Sequence, residues 1–373
     1  MPLQKRALNP KPEPPDQCAS KQLVTLRNRC DDHRSRLKQL ATKAQYPVLN
    51  VITMPPLHMV PHPPHAASPE SRAVLLVPIC NPGQAWGEFL LALQQQDVQP
   101  HQVIVLDSES TDGSAQAAQA LGYTVLPVQR SRFSHGGTRQ AGIDQLTWDA
   151  EFAIFLTQDA ILARPDALHQ LLTAFDDPQV AATYGRQLPH ANATPIAAHA
   201  RLFNYPAQSH TVTLQDKAAK GIKTCFLSNS FAAYRLSALR QVGGFAPDLI
   251  LGEDMHLAAR LLMAGGAIRY QASAHVYHSH NYLIREELAR YFDTGVLHAR
   301  QTWLMDTFGS AGNEGLKFMT SEMKHLWQHA PQHLPLALLR SFVKVAGFKL
   351  GRWSPFMPRA INQGLSMHKG YWA

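Results

Sequence analysis

Residues 102–107 read Gln-Val-Ile-Val-Leu-Asp, a short apolar run that ends on a carboxylate and lies between two helical stretches. Four consecutive aliphatic residues, with no polar residue alternating between them, are typical of a strand buried on both faces. Similar continuous apolar runs occur at Ala73–Val77 and Phe152–Leu156. Because helical patterns separate these runs, the sequence predicts an α/β fold with a doubly wound, mostly parallel sheet.

The rest of the core follows this alternation from Ser71 onward. Further helices are predicted over Trp86–Gln96, Ser114–Leu121, Gly136–Leu146 and Asp166–Phe175, and further strands over Tyr123–Val128 and Val180–Tyr184. Ligands of open α/β sheets bind beyond the carboxyl ends of the strands. Asp107 and Asp159 fall at such ends, so the sequence predicts a functional site at this edge of the sheet.

The 373-residue chain has a formal charge of +8, and its basic surplus lies at the two ends. Residues 1–70 hold ten Lys and Arg against five Asp and Glu, residues 311–373 hold eight against two, and the middle is net acidic. A nucleic-acid-binding protein would carry its basic residues on the folded core, so we expect no nucleic-acid partner. The basic ends predict attraction to an anionic membrane surface, with solvated charge as the alternative.

Residues 1–70 hold twelve of the 26 prolines, which excludes continuous helix or central strand there. We predict a mostly disordered leader, with a pattern around Leu23–Leu40 that is compatible with a short amphipathic helix. The start lacks an apolar signal segment, and no run of about 20 apolar residues is free of charge. Four scattered cysteines argue against a zinc cage or disulfide frame, so a cytoplasmic protein is expected.

Two loops near the predicted sheet edge carry groups suited to a nucleotide. Asp107 directly follows a strand, where its carboxylate could accept hydrogen bonds from a ribose or a base. Capping of the next helix by Ser110 or Asp112 is the alternative role of this loop. Pro78 and Asn81 end the first strand in a turn.

Gly136-Gly137 opens a predicted helix after a strand. Without side chains, these residues let backbone N–H groups approach a phosphate at the helix N-terminus, and Arg139 could make a forked contact to a diphosphate. A plain loop is the alternative. The pattern is not G-x-G-x-x-G, so a dinucleotide-binding fold is not supported.

A carboxylate and three histidines are candidates for a divalent metal site. Asp159 ends a very apolar strand, where it could hold a metal that bridges phosphates or simply belong to a turn. The alternation in His275-Val-Tyr-His278-Ser-His280 predicts that the imidazoles share one face of a strand. With 19 histidines in the chain, a chance cluster is the alternative.

Glu253-Asp254 lies in the first turn of an amphipathic helix. One interpretation is a favourable interaction with the helix dipole. The other is a general base whose pKa is tuned by its surroundings.

The basic C-terminal region contains a helical pattern over His333–Trp353. Its predicted apolar face comprises Leu336, Leu339, Phe342, Val343, Ala346 and Leu350, and its polar or boundary positions Arg340, Lys344, Lys349 and Arg352. Such a helix suits an anionic bilayer surface. Packing on the catalytic domain is the equal alternative.

Taken in order, these motifs resemble the family-two glycosyltransferases, inverting enzymes of GT-A fold that use nucleotide-sugars. The likeness covers about residues 72–300 and is closer still to the bacterial rhamnosyltransferase branch. The stretches that carry it are Phe133–Arg139, Leu156–Ala160, Gly185–Pro189, Phe203–Pro206, Ser228-Asn229, Tyr234-Arg235, Gly243–Phe245, Gly252–Met255, His278–His280, Arg290–Val296 and Leu365–Trp372.

The resemblance implies a role for each matching residue. The implied nucleotide-sugar contacts are Pro78, Asn81, Asp107, Gly136, Gly137, Arg139 and Gln158. The implied ligands of Mg²⁺ or Mn²⁺ are Asp159, as the second Asp of a D-x-D element, with His278 and His280. The implied catalytic base is Asp254, with Glu253 orienting it or binding the acceptor.

Three positions depart from the family pattern, since Thr157 replaces the first Asp of D-x-D, Ser108 replaces a second Asp and Gln140 replaces Asn. The Q-x-x-R-W motif of processive synthases is missing, which argues against a polymerising enzyme. The resemblance implies a GT-A domain over 71–300, and we predict a basic helical extension over 301–373.

The resemblance predicts inverting transfer of L-rhamnose from dTDP-L-rhamnose to a lipid-linked saccharide in surface-polysaccharide synthesis. The reaction is expected at the inner face of the plasma membrane. The alternatives are another nucleotide-sugar donor and a non-catalytic binding or scaffold protein.

Overall fold

The central strand of the fold, β1 (Ala73–Ile79), lies between β2 (Gln102–Asp107) and β4 (Phe152–Leu156) and is parallel to both. The computed structural model describes residues 72–373. The predicted leader over 1–70, including the pattern at Leu23–Leu40, lies outside the described residues.

Within the described residues, nine strands form one sheet in the order β3-β2-β1-β4-β8-β6-β9-β5, and β7 pairs with β9 beside this path. The remaining strands are β3 (Thr124–Pro127), β5 (Ile161–Leu162), β6 (Val180–Leu188), β7 (His210–Val212), β8 (Phe231–Arg235) and β9 (Ala267–Tyr277). Strands β3, β2, β1 and β4 are parallel, as predicted.

The second half of the sheet is mixed. Strand β8 is antiparallel to both β4 and β6, while β6 and β9 are parallel. The sequence prediction missed β8 because Phe-Ala-Ala-Tyr-Arg carries two alanines, which have low strand propensity. Its burial between two neighbours stabilises it as a strand, since all of its residues except Arg235 are buried. Strand β6 also continues four residues beyond its predicted end at Tyr184.

The helices of the first part of the chain connect these strands. They are α1 (Ala85–Gln94), α2 (Ser114–Ala120), α3 (His135–Asp144), α4 (Ala167–Leu172), α5 (Pro195–Asn204), α6 (Lys217–Lys220), α7 (Leu236–Gln241) and α8 (Glu253–Met263). The C-terminal helices are α9 (Ile284–Arg300), α10 (Thr302–Phe308), α11 (Glu314–His329), α12 (Leu334–Arg352) and α13 (Arg359–Leu365).

Both faces of the sheet are buried. In β1, Val74 and Leu76 belong to one apolar cluster and Leu75 and Val77 to another on the opposite face. A strand covered on both sides has no polar face, which explains why the sequence runs are continuous rather than alternating.

Helices α9 and α12 pack against each other through glycines. A Cβ atom on Gly351 would lie 1.9 Å from the carbonyl oxygen of Phe292, and one on Gly295 would lie 2.2 Å from that of Phe348. Beside this contact, Glu287 of α9 is buried and pairs with Arg340 and Lys344 of α12, at 3.5 and 3.2 Å.

The predicted faces of α12 were only partly confirmed, because Leu339 and Phe342 of the predicted apolar face are exposed whereas Leu350 is half-buried. Arg340 and Lys344 point inward because they neutralise a buried carboxylate, whereas Leu338, Phe342 and Val345 are exposed to solvent. The helix thus packs on α9 with one side and presents apolar side chains on the other. None of the helices in residues 72–373 is long and apolar enough to cross a bilayer.

Candidate active site

The predicted nucleotide loops meet at the carboxyl ends of β1 and β2. Ile79 is in register with Asp107, so both strands end at the same level. Asn81 has a left-handed backbone (φ 47°), and its side-chain oxygen accepts a hydrogen bond from the Thr111 N–H at 2.7 Å. The Ser110 N–H donates to the Asp107 carboxylate at 3.1 Å. These contacts hold the two loops together as one rim.

Asp112 does not cap α2 in the predicted way, because Gly113 occupies the N-cap position. Its carboxylate accepts hydrogen bonds from the N–H groups of Gly83 and Ser114, at 2.9 and 3.1 Å. Asp112 therefore ties the loop after β1 to the start of α2.

Gln158 and Pro78 lie at the next position along this edge. The Gln158 side-chain oxygen accepts a hydrogen bond from the Cys80 N–H at 2.7 Å. Cys80 follows the last residue of β1 and lies two residues beyond Pro78. Gln158 thus joins the end of β4 to the end of β1. Its nucleotide-sugar contact remains a prediction.

The Gly136-Gly137 pair begins helix α3 rather than a separate loop. Ser134 caps the helix by accepting a hydrogen bond from the Gly137 N–H at 3.0 Å. A Cβ atom on Gly136 would lie 2.0 Å from the carbonyl oxygen of Ala246. The close approach of the Ala246 backbone therefore requires a glycine at position 136. The contact of Gly136 with a phosphate remains a prediction.

Arg139 is buried next to the first turn of helix α8. Its side chain is 4% exposed, forms an ion pair with Glu253 at 3.0 Å and donates to the His135 carbonyl oxygen at 2.9 Å. The structure therefore gives this guanidinium an acidic partner within the protein. Its contact to a diphosphate remains a prediction.

Glu253 and Asp254 form the first turn of α8, which begins after Gly252 in the left-handed region (φ 74°). Asn229 holds both acids. Its side-chain amide donates to Glu253 at 3.0 Å, and its backbone N–H donates to Asp254 at 3.3 Å. The Tyr234 hydroxyl donates to the Asn229 side-chain oxygen at 2.6 Å, which fixes the amide orientation.

The environment separates the pKa values of the two acids. Burial, together with the negative charge of neighbouring Glu253, raises the pKa of Asp254 to about 7. Burial also opposes ionisation of Glu253, but the positive charge of Arg139 and the hydrogen bond from Asn229 hold its pKa below the ordinary value. Two adjacent carboxyls with opposite shifts can serve as one permanent anion and one proton acceptor.

A second group of ligand-type side chains lies just beyond the ends of β4 and β9. One ligand atom from each of Asp159, His278 and His280 lies within 4.8 Å of the others. The Nε2 atoms of the two imidazoles lie 3.5 and 3.8 Å from the Asp159 Oδ2 atom. Burial disfavours the Asp159 carboxylate, but hydrogen bonds from His278 and Thr157 and the nearby imidazoles hold its pKa well below the ordinary range.

A hydrogen-bond network orients His278 within this group. Its Nδ1 atom lies 2.8 Å from the Gln187 side-chain oxygen, which also accepts a hydrogen bond from Arg201 at 2.6 Å. A partner on Nδ1 leaves Nε2 directed toward Asp159, as in metal-bound histidines. Two imidazoles and one carboxylate therefore fit a divalent cation.

The predicted arrangement of the histidines was wrong in one respect. Strand β9 ends at Tyr277, so His278 and His280 lie beyond the strand and do not share a strand face with His275. His275 is not part of the ligand group. The two later histidines instead approach Asp159 from the loop that leads to α9.

The residues that support this site were not assigned roles from the sequence. Asn229 belongs to a stretch that carried the family resemblance, but only the fold places it on both acids. Gln187 likewise lies in such a stretch, and its contact to His278 spans 91 residues. Neither contact has a local sequence pattern that could have predicted it.

Comparison with known proteins places the chain among sugar-transferring enzymes. The family model described as Glycosyl transferase family 2 matches residues 74–243. The O-antigen chain rhamnosyltransferase WbaN of Salmonella anatum is 46% identical over 299 residues, covering 80% of this chain and 95% of that protein. The O-antigen chain rhamnosyltransferase RfbN of Salmonella typhimurium is 45% identical, covering 81% and 96%.

Solved structures show more distant likeness. A mannosyltransferase of Pyrobaculum calidifontis, solved with GDP-Man and Mn²⁺, has 18% identity and a TM-score of 0.49, covering 82% of this chain and 87% of that one. Residues 1–349 of TarS from S. aureus, solved with UDP-GlcNAc, have 14% identity and a TM-score of 0.45, covering 76% and 91%.

Proposed function

The chain belongs to glycosyltransferase family 2, and from this premise we propose that it transfers L-rhamnose from dTDP-L-rhamnose to a lipid-linked saccharide during O-antigen synthesis. It is a glycosyltransferase with the GT-A type of fold. The observation that carries the proposed mechanism is the Glu253–Asp254 pair, in which one acid is paired with Arg139 and the other has a raised pKa.

Asp254 is the general base of this mechanism. With a pKa of about 7, its carboxylate is available near neutral pH and is basic enough to accept the proton of an acceptor hydroxyl. Glu253 remains ionised beside Arg139 and raises the proton affinity of Asp254. The hydroxyl oxygen then attacks the anomeric carbon as the bond from that carbon to the diphosphate oxygen breaks and dTDP leaves. This single displacement inverts the configuration, and no covalent sugar–enzyme intermediate forms.

Asp159, His278 and His280 are the proposed holders of a divalent cation, either Mg²⁺ or Mn²⁺. Such an ion would neutralise the negative charge on the leaving diphosphate. The rim around Asn81 and Asp107 is proposed to hold the nucleoside at the carboxyl ends of β1 and β2, where open α/β sheets bind their ligands.

Thermal stability in the presence of nucleotide-sugars tests the donor. We expect dTDP-L-rhamnose to raise the melting temperature, because a ligand that binds only the folded state stabilises it, by about 2.7 kcal/mol at a hundred times its dissociation constant. UDP-glucose and GDP-mannose are the matched comparisons. A larger shift with either sugar nucleotide would assign another donor, and no shift with any donor, with or without Mn²⁺, would contradict catalysis.

The C-terminal helices are proposed to dock on an anionic membrane surface. Phe342, Trp353 and Phe356 are 71%, 68% and 88% exposed. Across residues 315–373, all within the described part of the chain, no Asp or Glu is exposed, and the exposed basic residues are Lys317, Lys324, Lys349, Arg352, Arg359 and Lys369. Exposed aromatic side chains beside basic ones, without acidic neighbours, suit the interface of an anionic bilayer.

Vesicle binding tests this surface. We expect the double variant Phe342→Ser, Trp353→Ser to bind phosphatidylglycerol vesicles at least about tenfold more weakly, because each large apolar side chain contributes about 1.5–3 kcal/mol when buried. Leu91→Ser is the matched control, since Leu91 is also exposed but lies on α1. Equal cosedimentation of the double variant and the wild-type protein would contradict membrane docking.

A further inference from the structure

Residues 366–372 pack against α9, where a buried carboxylate accepts hydrogen bonds from their backbone. Asp293 of α9 is fully buried, and its Oδ2 atom accepts hydrogen bonds from the N–H groups of Met367 and His368, at 2.9 and 3.3 Å. Hydrogen bonds to a charged group are among the stronger ones in proteins. Asp293 therefore helps to hold residues 366–372, here called the C-terminal segment, against α9.

This segment brings His368 against the start of α3. The rings of His368 and His135 are 4.8 Å apart at an angle of 87°, and those of His135 and Phe133 are 5.2 Å apart at 76°. We call these three side chains the ring row. Phe133 is 39% exposed, whereas both histidines are half-buried.

The ring row lies beside the catalytic pair. The carbonyl oxygen of His135 accepts a hydrogen bond from Arg139, whose guanidinium also pairs with Glu253. The negative charge of Glu253 reaches both His135 and His368. The row is therefore adjacent to Glu253, the acid that neighbours the proposed base.

The pKa values of both imidazoles are lowered, which favours their neutral forms. Burial lowers the pKa of His368 to about 4, and the nearby His135 and Arg290 lower it in the same direction. Burial likewise lowers the pKa of His135, and the positive charges of Arg139 and Arg290 oppose the effect of Glu253. The row thus offers uncharged aromatic surface together with ring nitrogens that can exchange hydrogen bonds with hydroxyl groups.

We propose that the ring row of Phe133, His135 and His368 binds the sugar ring of the acceptor beside Asp254. A pyranose presents polarised C–H bonds on one face, which complement the negative face of an aromatic ring, and hydroxyls at its edge. The nucleotide-sugar has its own proposed place at the rim of β1 and β2. This inference rests on the proposed function and makes Asp293 a positioning residue that acts through His368.

Ligand titrations followed by saturation-transfer NMR test the row without requiring turnover. The probes are methyl glucopyranoside, galactopyranoside and mannopyranoside, with dTDP as the nucleotide probe. We expect His368→Ala to weaken the binding of at least one hexoside about three- to tenfold, the range of an aromatic contact, and to leave dTDP binding unchanged. His368→Phe should retain most hexoside binding, and the exposed neighbour Lys369→Ala should retain all of it.

Three outcomes overturn the inference, and a fourth contradicts the proposed function alone. If the wild-type protein binds none of the hexosides, or if His368→Ala binds them as tightly as wild type, the row is not a sugar site. If His368→Ala weakens dTDP binding instead, the row belongs to the donor. A protein that binds a hexoside but transfers no sugar would contradict the proposed function while leaving the row intact.

A second pair of variants tests the anchor. Asp293→Ala should reproduce the loss of hexoside binding, whereas Asp293→Asn keeps an acceptor oxygen for Met367 and His368 and should largely preserve it. If Asp293→Asn binds the hexosides as weakly as His368→Ala does, while both variants have the melting temperature of the wild type, Asp293 does not act by positioning the segment. A loss of folding in Asp293→Ala leaves the His368 variants to decide.

Discussion

Replacing Asp254 by Asn is expected to lower kcat about a thousandfold, within the range of about 10²–10⁴ that general-base catalysis contributes. The substitution keeps the size of the side chain and an oxygen that can accept the Asn229 N–H bond. It removes the group that takes the proton from the acceptor hydroxyl. Transfer of radiolabelled rhamnose under saturating donor measures the loss.

Donor binding should survive this substitution, because the nucleoside is proposed to bind at the rim around Asn81 and Asp107, whereas Asp254 is proposed to act on the acceptor hydroxyl. Titration with dTDP is expected to give the same affinity for Asp254→Asn and wild type. The exposed Asp176→Asn is the matched control and should retain full activity. Turnover of Asp254→Asn within tenfold of wild type would remove Asp254 from the role of base.

The same residue determines the pH dependence. A base must be deprotonated, so kcat/KM should fall as the pH drops through about 7, the raised pKa of Asp254. Glu253→Gln removes the negative charge that raises this pKa, and its activity profile should shift toward lower pH. A profile that is flat between pH 5 and 8 in wild type would be inconsistent with Asp254 as the base.

Replacing Asp159 by Ala is expected to weaken Mn²⁺ binding more than about a hundredfold, because loss of even an outer partner of a metal ligand costs about 10–100-fold. Electron paramagnetic resonance of free Mn²⁺ measures the affinity directly and does not depend on turnover. Transfer should fall about 10²–10³-fold, since charge neutralisation at a leaving group is worth several kcal/mol.

The exposed Asp97→Ala is the control for Asp159→Ala and should bind Mn²⁺ as the wild type does. His280→Ala should weaken Mn²⁺ binding as well, because His280 is the third member of the group. If Asp159→Ala and His280→Ala both leave the Mn²⁺ affinity unchanged, the ion is not held by these residues.

The parallel half of the sheet could be predicted from the sequence because its signal is local. Continuous apolar runs such as Ala73–Val77 and Phe152–Leu156 identify strands buried on both faces wherever they lie in the fold. The strand ends then placed Asp107 and Asp159 at one edge without any knowledge of their partners. Strand β8 escaped prediction because its alanines become a strand only through burial between β4 and β6.

The same distinction applies to helix α12. Its position and length follow from a local pattern, and the structure begins and ends it within one residue of the predicted bounds. Its faces depend on Glu287, which lies on another helix and draws Arg340 and Lys344 inward. From the sequence alone, a charged residue is assigned to the surface, because the buried partner that draws it inward is not known.

The sequence by itself determined the fold class and the family and predicted the candidate acids, because these depend on local patterns and on the order of motifs. Only the tertiary structure decided how those residues are paired. Arg139 meets Glu253, Asp159 meets His278, and Asp293 holds His368, each across a separation that no local pattern spans. The physical reason is that pKa and ligand geometry depend on neighbours in space, which the packing of strands and helices sets.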